Sequence, residues 1–207
     1  ARRPGGPARG EWVAGVAPGP AGARRYHLYI PPGLGLKAGE KIPLLVLLPG
    51  AGFIQHFKYN IQHLFSFPFT HRTGTTDVHI YGTEHNGVPV YFIQAWPYIG
   101  QEKGVYQDLS LDYPRMIFFS KAVQAVAWQL KERLGWMADV FHAHDWHTGL
   151  VPFLLVASRW QEEWRHVGSL LTIHNMGYQG NHAGPFLYEQ GIPDRVEQRL
   201  WQMNAHD

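Results

Sequence analysis

The sequence contains no cysteine, which excludes disulfide bonds, thiolate metal sites and a cysteine nucleophile. It also has little charge of one sign, because 18 basic residues nearly balance 16 acidic ones. Without a block of like charges, we expect no nucleic acid and no membrane surface as a partner. The apolar run Ile42 to Leu48 is interrupted by Pro43, and no apolar run approaches the ~20 residues of a membrane-spanning helix. The composition therefore predicts a cytoplasmic globular protein.

Three familiar motifs of catalysis and nucleotide binding are also missing. The chain has no G-x-S-x-G turn to expose a nucleophilic serine, and Ser169 follows Gly168 but leads into an apolar run. It has neither a Walker A loop nor a complete G-x-G-x-x-G, and we interpret Gly33 and Gly35 as turn residues. These absences disfavour a serine hydrolase and a glycine-rich phosphate loop.

Glycine and proline are unevenly distributed along the chain. Residues 1–50 contain 18 of the 38 glycines and prolines. Residues 1–25 hold too few sizeable apolar side chains to offset the entropy lost when a chain is ordered. We therefore predict a disordered Pro/Gly/Arg-rich arm at residues 1–25, followed by a single α/β domain at residues 26–207.

The first half of that domain is predicted to contain short strands. Apolar and alternating runs predict strands at 26–30, 44–48, 77–84 and 88–95. Asn86 and Gly87 tolerate the positive φ of a tight turn, so the last two strands are expected to form a hairpin. Residues 53–70 are aromatic-rich without a clean period, and we interpret them as a packed loop or an irregular helix.

The second half alternates between helical and strand periods. After Pro114, apolar residues recur at three- and four-residue steps and predict a helix that ends before Gly135. A strand at 139–144, a helix from 148 to about 164 and a strand at 168–174 follow. Strands joined by a helix form a βαβ unit with parallel strands, so the predicted class is α/β.

Two polar clusters come directly after the two strands of this unit. They are His-Ala-His-Asp-Trp-His at 142–147 and His-Asn-Met-Gly-Tyr-Gln-Gly at 174–180, in a chain with thirteen histidines. Ligands of open α/β sheets bind at the carboxyl ends of the strands. Carboxylate, imidazole and amide groups there could hold the hydroxyls of one sugar, whereas the simpler interpretation is that single histidines cap helices or satisfy backbone carbonyls.

A metal site is the other chemical interpretation of the first cluster. His142 and His144 are two residues apart and face the same side of a strand, with Asp145 and His147 close by. Three histidines and one aspartate could hold zinc, although this spacing is not diagnostic of a zinc site.

Four segments of the chain resemble, in series, the bacterial and plastid glycogen/starch synthase family. They are ADVFHAHDWHTGLVPFLL, LLTIHNMGYQG, NGVPVYFIQ and PRMIFFSKAV, and the resemblance extends over about residues 53–207. It implies the amino-terminal half of a GT-B glycosyltransferase, with a Rossmann-like parallel sheet. The implied reaction transfers glucose from ADP-glucose or UDP-glucose to an α-1,4-glucan with retention at the anomeric carbon. No metal and no cofactor are implied.

The same resemblance assigns roles to residues of the two clusters. It implies that Asp145 holds sugar hydroxyls, and that His174 contacts the donor glucose near its 6-hydroxyl and stabilises charge at the anomeric centre. Asn175 would assist these two catalytic residues. The remaining substrate-binding candidates in the two clusters are His144, His147, Tyr178 and Gln179.

The chain also departs from the family pattern. The lysine-bearing glycine loop Lys-Thr-Gly-Gly-Leu of family members is absent, and residues 26–52 instead resemble the start of polyester-degrading esterases. The carboxyl-terminal domain that supplies most nucleotide contacts in the family is not found in these residues. We therefore expect a glycosyltransferase fragment that is inactive alone, with a non-catalytic carbohydrate-binding module or an α/β-hydrolase-type esterase as alternatives.

Overall fold

The computed structural model describes residues 11–17, 24–30, 44–47, 60–85, 87–100, 106–181, 183–189 and 192. The chain divides into two compact units. The first comprises Ala1–Leu48 and Ala127–Gly177, and the second comprises Pro49–Val126 and Tyr178–Asp207. The candidate residues from His142 to Asn175 belong to the first unit, whereas Tyr178 and Gln179 belong to the second.

The first unit contains a five-stranded sheet of order β1-β2-β8-β7-β3. Its strands are β1 (Glu11–Ala17), β2 (Arg24–Ile30), β3 (Leu44–Leu47), β7 (Val140–His144) and β8 (Gly168–Thr172). The pairs β3–β7 and β7–β8 are parallel, whereas β2 runs antiparallel to β8 and β1 antiparallel to β2. The predicted parallel unit and the α/β class are confirmed.

Two helices connect β7 to β8. They are α2 (Leu150–Ser158) and α3 (Glu162–Arg165), preceded by a 3-10 turn at Trp146–Thr148. The sequence predicted one helix over this range, and the structure breaks it after Ser158. Phe141 of β7 is fully buried, and its ring meets the edge of the Trp164 ring with centroids 6.2 Å apart. Apolar burial between this strand and its crossover helices therefore holds β7 in the sheet.

The second unit contains an antiparallel sheet of order β4-β5-β6. Its strands are β4 (Gln62–His71), β5 (Gly74–His85) and β6 (Val88–Gln94). The predicted hairpin is confirmed, with Gly87 at φ 77° in its turn. β4 replaces part of the predicted loop or irregular helix, because Phe65 and Phe67 alternate inward and pair with buried residues of β5.

The long helix α1 spans Leu109–Leu134 and crosses the boundary between the two units. It begins earlier than predicted, because the carboxylate of Asp108 accepts the backbone N–H of Ser110 at 2.9 Å and caps the first turn. Pro114 lies inside the helix near its start. The helix ends as predicted at Gly135, whose φ of 68° suits glycine and whose N–H donates to Lys131 O at 2.9 Å. A short helix, α4, covers Gly184–Glu189.

The amino-terminal region contains a strand where the sequence predicted a disordered arm. Glu11–Ala17 pairs with Arg24–Ile30 along seven residues, so backbone hydrogen bonds provide the order that the few apolar side chains could not. The remaining residues of the predicted arm lie outside the described residues. The single-domain organisation of residues 26–207 stays a prediction. None of the helices that the structure describes has the length and apolar character of a membrane span.

Candidate functional site

The two polar clusters meet at one edge of the first sheet. In the parallel register of β7 and β8, His144 lies opposite Thr172, so both strands end at the same level. Asp145 follows β7 directly, and His174 follows β8 after one residue, Ile173. The structure therefore brings together the two residues that the family resemblance singled out.

The main chain of His174 is tied to the side chain of Asp145. The His174 N–H donates to Oδ1 of Asp145 at 2.6 Å, and the Asp145 N–H donates to the Thr172 carbonyl at 2.8 Å. The second carboxylate oxygen of Asp145, Oδ2, accepts no hydrogen bond from the part of the chain that the structure describes. One oxygen thus holds the loop, and the other remains an acceptor for a hydroxyl.

Asp145 adopts a backbone conformation that only glycine reaches without strain. Its φ is 57° and its ψ is −171°. Such a conformation costs about 1–3 kcal/mol for a residue with a Cβ and persists where surrounding contacts impose it. The hydrogen bonds to Thr172 and from His174 are those contacts, so the strain is concentrated at the residue that presents the carboxylate.

Three imidazole rings form a column beside Asp145, which we call the imidazole column: His142, His144 and His174. The rings of His142 and His144 have centroids 4.2 Å apart, and those of His144 and His174 are nearly parallel with centroids 5.1 Å apart. Nδ1 of His144 lies 2.8 Å from Nε2 of His174, so one ring donates a hydrogen to the other. At the inner end, Nε2 of His142 shares a hydrogen bond of 2.8 Å with the Thr172 hydroxyl.

Burial keeps the inner rings of the column neutral. It lowers the pKa of His142 from 6.5 to about 4, with the neighbouring rings of His144 and His174 adding to the effect. Burial also lowers the pKa of His144, helped by His174 and opposed by the carboxylate of Asp145. Charging either ring would require desolvating a cation next to another imidazole. The site therefore offers neutral hydrogen-bonding groups beside one carboxylate.

A buried hydroxyl holds the backbone of His144. Oγ1 of Thr148, which is fully buried, accepts the His144 N–H at 2.6 Å and donates to the His144 carbonyl at 2.9 Å. The 3-10 turn at Trp146–Thr148 brings this hydroxyl back to the end of β7. Thr148 therefore fixes the position from which His144 and Asp145 project.

The other predicted substrate-binding residues occupy different environments. Oδ1 of Asn175 accepts the N–H of Gly177 at 2.9 Å, so this side chain shapes the loop after β8. The ring of His147 is buried and stacks on Trp146 with centroids 4.3 Å apart. Tyr178 and Gln179 are exposed and lie at the start of the second segment of the second unit. Contacts of these four side chains with a substrate stay predictions.

The alternative zinc site does not form from the first cluster. Among the residues that the structure describes, no three histidine, aspartate or glutamate side chains are placed to hold one ion. Nε2 of His142 faces the Thr172 hydroxyl, Nδ1 of His144 faces His174, and His147 stacks on Trp146. Their nitrogens thus do not converge.

Sequence reasoning missed two threonines of the site. Thr148 holds the backbone of His144, and Thr172 contacts both His142 and Asp145. The signal for Thr148 was its position four residues after His144, within reach of a side-chain bond to the strand end. Thr172 carried no such signal, because its partners lie about thirty residues away on the neighbouring strand.

Comparison with known proteins assigns the chain to a family. The family model of the starch synthase catalytic domain matches residues 37–206. Glycogen synthase 1 of Geobacter sulfurreducens is 43% identical over 101 residues, covering 46% of this chain and 19% of that protein. The glycogen synthase of Streptococcus sanguinis is 32% identical over 157 residues, covering 74% of this chain and 31% of that protein. The chain thus spans about a fifth to a third of the length of these curated relatives.

A solved structure supports the same fold. The catalytic domain of starch synthase IV from Arabidopsis thaliana, bound to ADP and acarbose, superposes with a TM-score of 0.54 at 23% identity. The match covers 67% of this chain and 27% of that one. The predicted α/β, Rossmann-like fold of GT-B type is confirmed by this likeness together with the parallel strands β3, β7 and β8. With the family model matched over residues 37–206, the chain belongs to the starch synthase catalytic domain family.

Proposed function

We propose that this chain supplies the sugar-binding side of a retaining glucosyltransferase site of the glycogen synthase type. The substrates would be ADP-glucose or UDP-glucose as donor and an α-1,4-glucan, glycogen or starch, as acceptor. Family membership supports the reaction class. The relative from Arabidopsis thaliana binds ADP and acarbose, which supports a nucleotide sugar and a glucan as partners here.

The observation that carries the proposal is the hydrogen bond from the His174 N–H to Oδ1 of Asp145 at 2.6 Å. It holds a carboxylate and an imidazole side by side at the carboxyl edge of a parallel sheet, where α/β proteins bind ligands. Oδ2 of Asp145 can accept a sugar hydroxyl, and the exposed ring of His174 can contact the donor glucose.

Fixed neutral groups suit the chemistry of glucosyl transfer with retention. The reaction passes through an oxocarbenium-like state, in which positive charge develops on the sugar ring. Preorganised dipoles and a nearby carboxylate stabilise such charge without a change in their own protonation. We assign the catalytic contacts to His174 and Asp145, and a supporting role in the loop to Asn175.

We further propose that these 207 residues bind sugar weakly and do not transfer it by themselves. Transfer requires the donor and acceptor to be held in a reactive alignment, and positioning accounts for much of the rate. The matched segments make up about a fifth to a third of the relatives, so most of the length of those proteins lies outside the match.

Binding and transfer are measured separately to test this function. We expect ADP-glucose or UDP-glucose, and short maltooligosaccharides, to shift the amide NMR signals of Asp145 and His174 in the isolated chain. His174→Ala should raise the ligand concentration needed for half of the maximal shift at least tenfold. His166→Ala changes an exposed histidine after α3 and should leave that concentration unchanged. Shifts confined to other regions would remove the assignment of the site.

Chain extension provides the second measurement. Incubation with radiolabelled ADP-glucose or UDP-glucose and glycogen should give no measurable incorporation by the chain alone. If the wild-type chain does incorporate label, incorporation that persists in His174→Ala would overturn the catalytic role assigned to His174.

A non-catalytic carbohydrate-binding module is the alternative, favoured by the small share of the relatives' length that the chain spans. Binding of glucan with no binding of either nucleotide sugar would favour this alternative, because the proposed site is built around the donor glucose.

A further inference from the structure

We propose that His144 is a positioning residue that sets the tautomer of His174. In this arrangement Nδ1–H of His144 donates to Nε2 of His174, and a neutral His174 therefore carries its own hydrogen on Nδ1. His174 then offers an N–H donor, suited to an oxygen acceptor such as a sugar hydroxyl or a phosphoryl oxygen. Only the identity of that acceptor rests on the proposed function.

The geometry allows two arrangements of the hydrogens. Nδ1 of His144 and Nε2 of His174 are 2.8 Å apart, a hydrogen-bond distance that needs one N–H and one lone pair. If His144 donates, its Nε2 bears a lone pair. If His174 donates, the neutral His144 must carry its hydrogen on Nε2.

The surroundings of Nε2 of His144 decide between the two arrangements. This atom is buried and has no hydrogen-bond partner among the residues that the structure describes. A buried N–H without an acceptor is rare in proteins, whereas an acceptor with an unused lone pair is tolerated more often. The hydrogen of His144 is therefore on Nδ1, where it has a partner.

The direction of the effect follows from how firmly each ring is held. Thr148 bonds both the N–H and the carbonyl of His144, and the His142 ring packs against the His144 ring. His174 lies in an exposed loop after β8. The anchored ring therefore positions the exposed one, and His144 acts on a ligand through His174.

Histidine-selective ¹⁵N labelling and long-range ¹H–¹⁵N NMR measure the tautomers directly. Near neutral pH, we expect the wild-type chain to show a protonated Nδ1 and an unprotonated Nε2 on both His144 and His174. Spectra of His144→Leu and His174→Ala assign the signals by their disappearance. A protonated Nε2 on His144 in the wild type would overturn the inference, whatever the variants do.

Two substitutions at His144 separate positioning from packing. The amide of His144→Asn places an N–H donor near the original Nδ1 and should keep the hydrogen of His174 on Nδ1. His144→Leu removes the donor and should raise the fraction of His174 with hydrogen on Nε2 severalfold. An unchanged His174 tautomer in a folded His144→Leu variant would contradict the positioning role, and His166→Leu serves as the matched control.

Titrations with inorganic phosphate and with maltose identify the acceptor. Each is followed through the Nδ1–H proton signal of His174, which should move when an oxygen accepts it. If neither ligand binds but the tautomers are as stated, the proposed function fails and this inference stands. If a ligand binds while His174 carries hydrogen on Nε2, this inference fails and the proposed function stands.

Discussion

The backbone N–H of His174 donates to the carboxylate of Asp145 at 2.6 Å, which ties the loop after β8 to the end of β7. The carboxylate thus has a structural role in addition to any contact with a ligand. Substitutions at Asp145 will change stability as well as binding, so the two effects have to be measured separately.

The strain at Asp145 predicts that a glycine variant is more stable than an alanine variant, the reverse of the usual order. Both Asp145→Gly and Asp145→Ala lose the bond from His174, but only alanine keeps a Cβ at φ 57° and ψ −171°. We expect Asp145→Gly to be more stable than Asp145→Ala by about 1–3 kcal/mol in the free energy of unfolding, measured with urea.

Asp139, just before β7, provides the control for this comparison. It is not among the residues with positive φ, so alanine should equal or exceed glycine in stability there. The same order of the two variants at both positions would show that Asp145 stores no strain.

Thr148 is expected to hold the site through its hydroxyl. Thr148→Val keeps the shape of this fully buried side chain but removes the acceptor for the His144 N–H and the donor to its carbonyl. The cost should be about 1–3 kcal/mol in the free energy of unfolding, with broadened NMR signals from His144. Thr148→Ser retains the hydroxyl and should keep these signals sharp. Equal effects of valine and serine would assign the role of Thr148 to its methyl group.

The imidazole column predicts that stability falls in mild acid. The pKa of His142 is about 4 in the folded chain, below its usual 6.5, so between these values the unfolded chain binds more protons. The contribution of His142 to the free energy of unfolding should be complete above pH 6.5 and should be lost as the pH falls to about 4. For a completely buried ring this loss of stability would be about 3 kcal/mol. Because the His142 ring is partly exposed, we expect a loss of about 1–2 kcal/mol.

Two variants separate titration from hydrogen bonding in this pH effect. His142→Gln removes the ring with the lowest pKa of the column and should reduce the pH dependence of the urea midpoint, leaving the part that His144 contributes. Thr172→Val removes the hydroxyl that His142 contacts and should lower stability at every pH while the slope persists. A slope that survives His142→Gln undiminished would have to come from other groups.

A buried ion pair lies near the start of α1. Nη2 of Arg115 donates to Oδ1 of Asp112 at 2.7 Å, and both side chains are buried. Arg115→Leu leaves the carboxylate of Asp112 buried without its cation and should cost about 3–5 kcal/mol in the free energy of unfolding.

The double variant Asp112→Asn with Arg115→Leu should recover part of that loss, because no buried charge remains. Arg133→Leu, an exposed arginine on the same helix, should change stability by less than about 0.5 kcal/mol. If Arg115→Leu lowered the free energy of unfolding no more than Arg133→Leu does, the ion pair would not contribute to stability.

Local patterns were sufficient to predict the strands and the turn around Gly87, and the helix end at Gly135. Each depends on residues close in sequence, such as a glycine where φ is positive or an apolar run of strand length. β4 was not predicted, although Phe65 and Phe67 alternate with Ser66 and Pro68 at the period of a strand, and its pairing with β5 identifies it as one. β1 likewise depends on a partner strand, and its own composition predicted disorder.

The sequence by itself determined which groups are available at the site: one aspartate, several imidazoles and no thiol. It also determined that His144 and Asp145 lie at the end of one strand and that His174 lies at the end of another. Only the tertiary structure decided that Nδ1 of His144 meets Nε2 of His174 and that Oδ1 of Asp145 accepts the His174 N–H. These contacts join residues about thirty positions apart, and the parallel register of β7 and β8 brings them within hydrogen-bond distance.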